Sequence, residues 1–263
     1  MRATMAAARA VVLTLSLGPA GCGWLSADLG GSDSGVRAVQ LAALPTPGMR
    51  ASYRVQTAAI LSGPGVRSLA ESQKSASTVQ RYVVAVTAVE ADAFDVRITG
   101  DSLRGAVIAR FRRDWSAVKF GVENEGTYKD ADLPTFPILG EAFQVARDLS
   151  GRWVVGETRP WARTVSVPPL LSVQMQGTAT LKRITRRAGR RAAEFEYGGT
   201  GEGEYVGTQL RMTLRSQYWV DLATGFVLES KTTAPGQFTQ AGEAIHMELK
   251  EERTLNRPDS AGL

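Results

Sequence analysis

Few residues in this chain could carry chemistry. There is one histidine, His246, and one cysteine, Cys22. A metal site built on His and Cys is out of reach, which leaves only carboxylates, and Glu202 and Glu204 are scattered among glycines. No metal and no cofactor is expected. The densest chemical signal is basic: Lys182, Arg183, Arg186, Arg187, Arg190 and Arg191 fall within ten positions. Their six charges exceed the net charge of the whole chain, +5. Basicity is therefore one local patch and not a property of the surface as a whole. The patch straddles Ala188-Gly189, which reads as a hairpin tip. Such a tip can meet anionic head groups or a wall polymer, at about 1 kcal/mol per charge near the surface. The plainer alternative is a solvated tip partly balanced by Glu194 and Glu196. No aromatic residue interleaves the arginines, which argues against nucleic acid as a partner. Residues 198–203 (GGTGEG) lack the Lys-Ser/Thr ending of a phosphate loop and open no helix, so a flexible turn is expected there. Trp115, Trp153, Trp161 and Trp219 are expected in the core or at its rim.

Gly100-Asp101-Ser102-Leu103 resembles the nucleophile block of GDSL-type esterases. The resemblance implies that Ser102 attacks an ester while His246 takes its proton. A strand-like stretch precedes the block, and Glu243-Ala244-Ile245-His246 is close to that family's Asp-x-x-His. The departures are several. Glu243 stands where the family has Asp, the Gly-x-Asn-Asp oxyanion block is missing, and Gly121-Val122-Glu123-Asn124 does not replace it. His246 also lies on the wet face of an alternating segment. The block reads as a loop between strands, no catalytic residue is assigned, and ester hydrolysis stays as the alternative function.

The first 22 residues point to export. Arg2 and Arg9 give a positive start, and residues 10–17 (AVVLTLSL) form an apolar run. A spanning helix needs about 20 apolar residues, so this run fits the core of a secretory signal instead. Gly18 and Pro19 break a helix, small residues follow, and then comes Cys22. An exported chain with no second cysteine has little use for a reactive thiol. Leu17-Gly18-Pro19-Ala20-Gly21-Cys22 resembles the bacterial lipobox, with Pro19 where an aliphatic residue is usual. The resemblance implies that Cys22 is acylated and becomes the mature N-terminus, anchored at about 0.8 kcal/mol per buried CH₂. In a two-membrane host, Gly23 after the cysteine implies the outer membrane by that family's sorting rule. Residues 23–47, rich in Gly, Ser and Asp over 23–39 and closed by Pro45 and Pro47 before Gly48, read as a flexible tether.

The remaining residues, 48–255, alternate with period two over many short stretches, the signature of strands with one wet face. Met49, Ala51, Tyr53 and Val55 form one such series. Phe94, Val96 and Ile98 form another, and so do Leu210, Met212 and Leu214, then Ile245, Met247 and Leu249. Residues 133–151 differ: two prolines lead, apolar residues follow at helical spacing, and Gly151 closes the segment, which predicts an amphipathic helix. The expected fold is mainly β, a curved antiparallel sheet, half-barrel or open barrel, with this one central helix. Two similar meanders, 48–130 and 152–255, flank the helix within one β-rich domain. Trp153-Val154-Val155-Gly156-Glu157 and the stretch from Tyr218-Trp219 to Leu228-Glu229 resemble uncharacterised bacterial envelope lipoproteins of the lipoprotein-carrier type. That resemblance implies a non-enzymatic, membrane-anchored protein holding a lipid or a partner's hydrophobic segment, or an envelope assembly module. Phe94, Val96, Ile98, Leu210, Met212 and Leu214 are expected to line its apolar cavity.

Overall fold

The structure is a computed structural model and describes residues 37–41, 47–67, 69, 71–101, 103, 105–113, 117–124, 127–130, 148–167, 171–205, 207–240 and 242–256. Period-two sequences dominate these residues, and strands result. They are β1 (Ala38–Leu41), β2 (Arg50–Ser62), β3 (Ser75–Val89), β4 (Ala93–Gly100), β5 (Ala106–Arg112), β6 (Ala117–Asn124) and β7 (Thr127–Asp130) in the first part of the chain. The second part contributes β8 (Gly151–Val154), β9 (Thr158–Val167), β10 (Leu171–Arg187), β11 (Arg190–Tyr205), β12 (Thr208–Asp221), β13 (Val227–Gln240) and β14 (Glu243–Asn256).

Twelve strands form one antiparallel sheet in the order β7-β6-β5-β4-β3-β2-β14-β13-β12-β11-β10-β9. Two meanders, β2–β7 and β9–β14, thus lie side by side, joined where β2 pairs with β14. β7 and β9 are its two edges, and the sheet is not closed into a barrel. A separate ribbon pairs β1 with β8. The β10–β11 hairpin turns at Ala188 and Gly189, both with positive φ (49° and 77°), as a two-residue loop matched to strand twist requires.

One sheet face is buried. Along β2 the residues Ala51, Tyr53, Val55, Thr57 and Ala59 are buried and their neighbours are not. Register carries this face from strand to strand, so Tyr53 opposes Tyr82, and Val84 opposes Ile98. Two apolar clusters occupy it. The larger gathers residues of β9–β14 with Val39, Leu41, Leu149 and Trp153, so the β1–β8 ribbon covers that end of the sheet. Trp153 is fully buried there, edge-on to Phe195 at 5.0 Å, and its Nε1 donates to the Leu149 carbonyl at 2.9 Å. The smaller cluster belongs to β2–β6.

Two expectations change. Residues 198–203 are not a turn but the middle of β11. The helix predicted over 133–151 falls almost wholly outside the described residues: Asp148 carries helical backbone, and Gly151 already opens β8. The helices among the described residues are single turns, at Pro64–Val66 and Glu71–Lys74, and none is long and apolar enough to cross a membrane.

Candidate functional site on the inner sheet face

Glycine explains how strands of 14 to 17 residues keep a tight inner face. A Cβ added at Gly177 would lie 1.9 Å from the Gly198 carbonyl oxygen, and one at Gly203 would lie 2.0 Å from that of Ser172. At these points neighbouring backbones approach too closely for any side chain. Elsewhere side chains from nearby strands of the same face fill the vacancy. Trp161 lies over Gly199, and Val173, Met175 and Met212 close around Gly201. One cross-strand row therefore reads Met175, Gly201, Met212, Gly236, Met247. Methionine is flexible and polarizable and adapts to irregular apolar surfaces.

Two steps along the same strands from this methionine row lie Ala234 and Leu249, and two further steps bring a row of a different kind. Thr78 opposes Thr57, Thr57 opposes Glu251, Glu251 opposes Thr232, Thr232 opposes Ser216, and Ser216 opposes Tyr197. Six adjacent strands contribute one polar residue each, and all six are buried. Arg253, next on this face of β14, pairs with Glu251 at 3.0 Å, and both side chains are under a tenth exposed. Thr232 Oγ1 donates to Ser216 Oγ at 2.9 Å. Burial pushes the Tyr53 hydroxyl pKa up, with Arg253 pulling it the other way. Burial also pushes Tyr197 up, reinforced by Asp148, to which its hydroxyl donates at 2.6 Å. Trp161 stacks on Tyr197 at 4.6 Å, and the Arg163 guanidinium lies over the same indole at 4.8 Å. The indole Nε1 of Trp161 is buried with no hydrogen-bond partner among the described residues.

The six residues expected to line one cavity are all on this face but are divided. Phe94, Val96 and Ile98 belong to the smaller cluster, Leu210 and Leu214 to the larger, with Met212 packed against the latter. An open trough of about 1080 Å³ runs across β9–β14, lined by Met175, Gly201, Met212 and Gly236 of the methionine–glycine row together with Gln174, Gln176, Thr200, Gln237 and His246. Glu202 and Arg211, which also line it, pair at 3.2 Å.

Ion pairs account for most of the basic cluster. Lys182 meets Glu196 at 3.0 Å, Arg183 meets Glu194 at 2.8 Å and Arg190 meets Asp221 at 2.7 Å. Arg187 makes two hydrogen bonds to Glu229 (2.7 and 2.8 Å) and stacks its guanidinium on Trp219. Trp219 Nε1 in turn donates to Glu194 at 3.2 Å. Arg186 and Arg191 are the exposed pair facing each other beside the tip. The cluster ties the β10–β11 hairpin to β12 and β13.

Cys22 and Ser102 lie outside the described residues, as do 1–36 with the export segment. The surroundings of the esterase pair are nonetheless fixed by register. Gly100 sits level with Tyr82, Tyr53 and Leu255, whereas His246 is nine residues back along β14, roughly 30 Å of strand. Glu243 and His246, three apart on one strand, point to opposite faces. The geometry thus supplies no orienting acid for that imidazole from Glu243. Among the described residues no group of three or more His, Cys, Asp or Glu could hold a metal.

The chain matches no known family model, and no curated protein is similar to it in sequence.

The polar row had a signal in the sequence that single-strand reading passes over. Glu251 and Arg253 keep the inward phase of Ile245, Met247 and Leu249, and Thr57 keeps that of Tyr53 and Val55. Each is unremarkable alone, and only strand register lines them up.

Proposed function

We propose that this chain is an exported, lipid-anchored envelope lipoprotein, acylated at Cys22, whose inner sheet face holds a lipid or a partner's hydrophobic segment and which catalyses no reaction. Its body stands in the periplasm or outside the cell, tied to the membrane through the lipid. In this reading the sheet is curved as a half-barrel, and the central helix ends before β8 and is laid against the sheet's inner side. Two contacts support that last placement: Leu149 is buried in the larger cluster, and Asp148 accepts from Tyr197 on β11.

The observation that carries the reading is an open twelve-stranded sheet with one apolar face floored by a methionine–glycine row. A purely structural sheet needs rigid, interlocking side chains, while flexible methionines over glycines suit guests of varied shape. Native mass spectrometry of the full chain, purified from membranes in mild detergent, tests this. Lipid held in addition to the covalent anchor is the expected result. A bare protein would mean that its own side chains fill the face and that the domain is a solid assembly module.

A further inference from the structure

We infer that the β1–β8 ribbon and the neighbouring β10–β11 tip form a foot that rests on a bilayer surface bearing anionic phospholipids. Val154 and Val155 meet the interface, and Arg37, Arg152, Arg186 and Arg191 meet the head groups. This rests on the lipid anchor proposed above and adds the orientation of the body. The first support is the turn between β8 and β9. Glu157 N–H donates to the Val154 carbonyl at 2.8 Å, and Gly156 has φ 89°, as in a type II turn with Val155 at its second position. Turn positions in water favour Gly, Pro, Asn, Asp or Ser. Here two β-branched side chains stand side by side, 42% and 37% exposed. The other exposed large apolar residues among the described ones, Ile60 and Val118, lie on separate strands, β2 and β6. In water a valine pair at this place gains nothing, whereas apolar area pressed into a bilayer interface adds to binding.

The second support is direction. Trp153 turns into the larger cluster, so Val154 and Arg152, its neighbours on β8, point away from the sheet. Gly156 N–H donates to the Leu181 carbonyl at 2.7 Å and seats the turn on β10, roughly 15 Å of strand from Arg186. Arg186 and Arg191 keep the phase of Ile184 and Ala193, both members of the larger cluster. They therefore emerge on the side of the sheet that the ribbon covers. Arg37, Arg152, Arg186 and Arg191 are all exposed. The one acid in the turn, Glu157, is offset by Arg159 at 2.7 Å. An apolar tip among cations is the combination that suits an anionic membrane surface. The third support is where the chain enters the body. The Arg37 carbonyl accepts from Val155 N–H at 2.8 Å, and Arg37 stands 15 residues after Cys22. In the proposed reading the acylated cysteine is thus joined to the body at this same turn.

The test uses the full chain, purified from membranes in mild detergent and placed in vesicles of phosphatidylcholine with a minority of phosphatidylglycerol. Val155→Cys carries an environment-sensitive nitrobenzoxadiazole dye, and Val118→Cys on β6 carries the same dye as the reference. Both sites are exposed, so neither label disturbs the core. Doxyl-labelled phosphatidylcholine quenches a dye that meets the bilayer, and no other protein is present. Quenching at Val155→Cys should exceed that at Val118→Cys at least threefold. It should fall at least twofold when phosphatidylglycerol is left out, and likewise when Arg152→Gln, Arg186→Gln and Arg191→Gln are added. A vesicle-bound protein whose dye at Val155→Cys is quenched no more than at Val118→Cys would overturn the inference and leave the lipid anchor standing. Quenching indifferent both to phosphatidylglycerol and to the three arginines would overturn it too. A wild type that takes the dye at Cys22 and does not float with the vesicles would sink the anchor and the inference together.

Discussion

Gly177→Ala and Gly198→Ala add the same methyl group to neighbouring strands, and the structure requires opposite outcomes. Gly177 opposes Gly199 across the β10–β11 pair, and Gly198 opposes Thr178. A Cβ on Gly177 would stand 1.9 Å from the Gly198 carbonyl oxygen and 2.5 Å from the Gly199 Cα. Both obstacles are backbone, so no rotamer change relieves them, and the strands must separate at the cost of ladder hydrogen bonds. Overpacking costs about 1–3 kcal/mol, and a backbone obstacle puts this case near the upper end. At about 2–4 °C per kcal/mol for a domain of this size, Tm should fall by roughly 6–12 °C. At Gly198 the nearest atom to a new Cβ is the Leu214 carbonyl oxygen at 3.9 Å, and φ is not positive. There the unfolded chain loses freedom and the folded one loses nothing, which stabilises by about 0.4–1 kcal/mol. Thermal unfolding followed by far-ultraviolet circular dichroism measures both. A Gly177→Ala protein as stable as the wild type, or a Gly198→Ala protein that falls equally far, would refute the strand contacts described at this point.

Three further outcomes can be measured. Trp153→Ala removes a fully buried indole, its edge contact with Phe195 and its bond to Leu149, and should cost about 3–5 kcal/mol in urea unfolding. Burial pushes Tyr205 up to about 12, and Tyr53 and Tyr197 are pushed up as well. The unfolded chain releases these protons near pH 10 while the folded one keeps them, so their contribution is intact below about pH 10 and is lost as pH rises. Tyrosinate absorbance should lag a normal titration and then rise with alkaline unfolding; a normal titration of the native protein would contradict the burial. Palmitate fed to expressing cells should label the wild type and not Cys22→Ser, with equal labelling of the two ruling out acylation at that thiol.

Faces were legible in the sequence because period two is a local signal. Phe94, Val96 and Ile98 alternate with polar residues and are buried together, and the same holds for Leu210, Leu214 and Ile245. The hairpin tip at Ala188-Gly189 was equally local. What escaped depends on partners remote in the chain. Residues 198–203 look like a turn because their glycines offer nothing to pack. The packing comes from elsewhere: Trp161 of β9 covers Gly199, while Met175 of β10 and Met212 of β12 cover Gly201. The polar row is invisible for the same reason, since Thr57 and Glu251 meet only through the pairing of β2 with β14.

The basic cluster shows how density along the chain misleads about charge in space. Six cations in ten positions suggest a surface attraction of about 6 kcal/mol, at roughly 1 kcal/mol each. Yet Lys182, Arg183, Arg187 and Arg190 each have a carboxylate within 3.0 Å, and Glu229 and Asp221 come from β13 and β12, remote in the sequence. A cation so paired presents almost no net charge to a membrane or polymer. At most Arg186 and Arg191 act outward, which reduces the attraction to about 2 kcal/mol, too little for stable attachment at physiological salt. An anionic membrane or polymer therefore cannot be held by this hairpin alone, and the anchoring proposed above would take the apolar energy of acyl chains, the part that proposal assigns to Cys22.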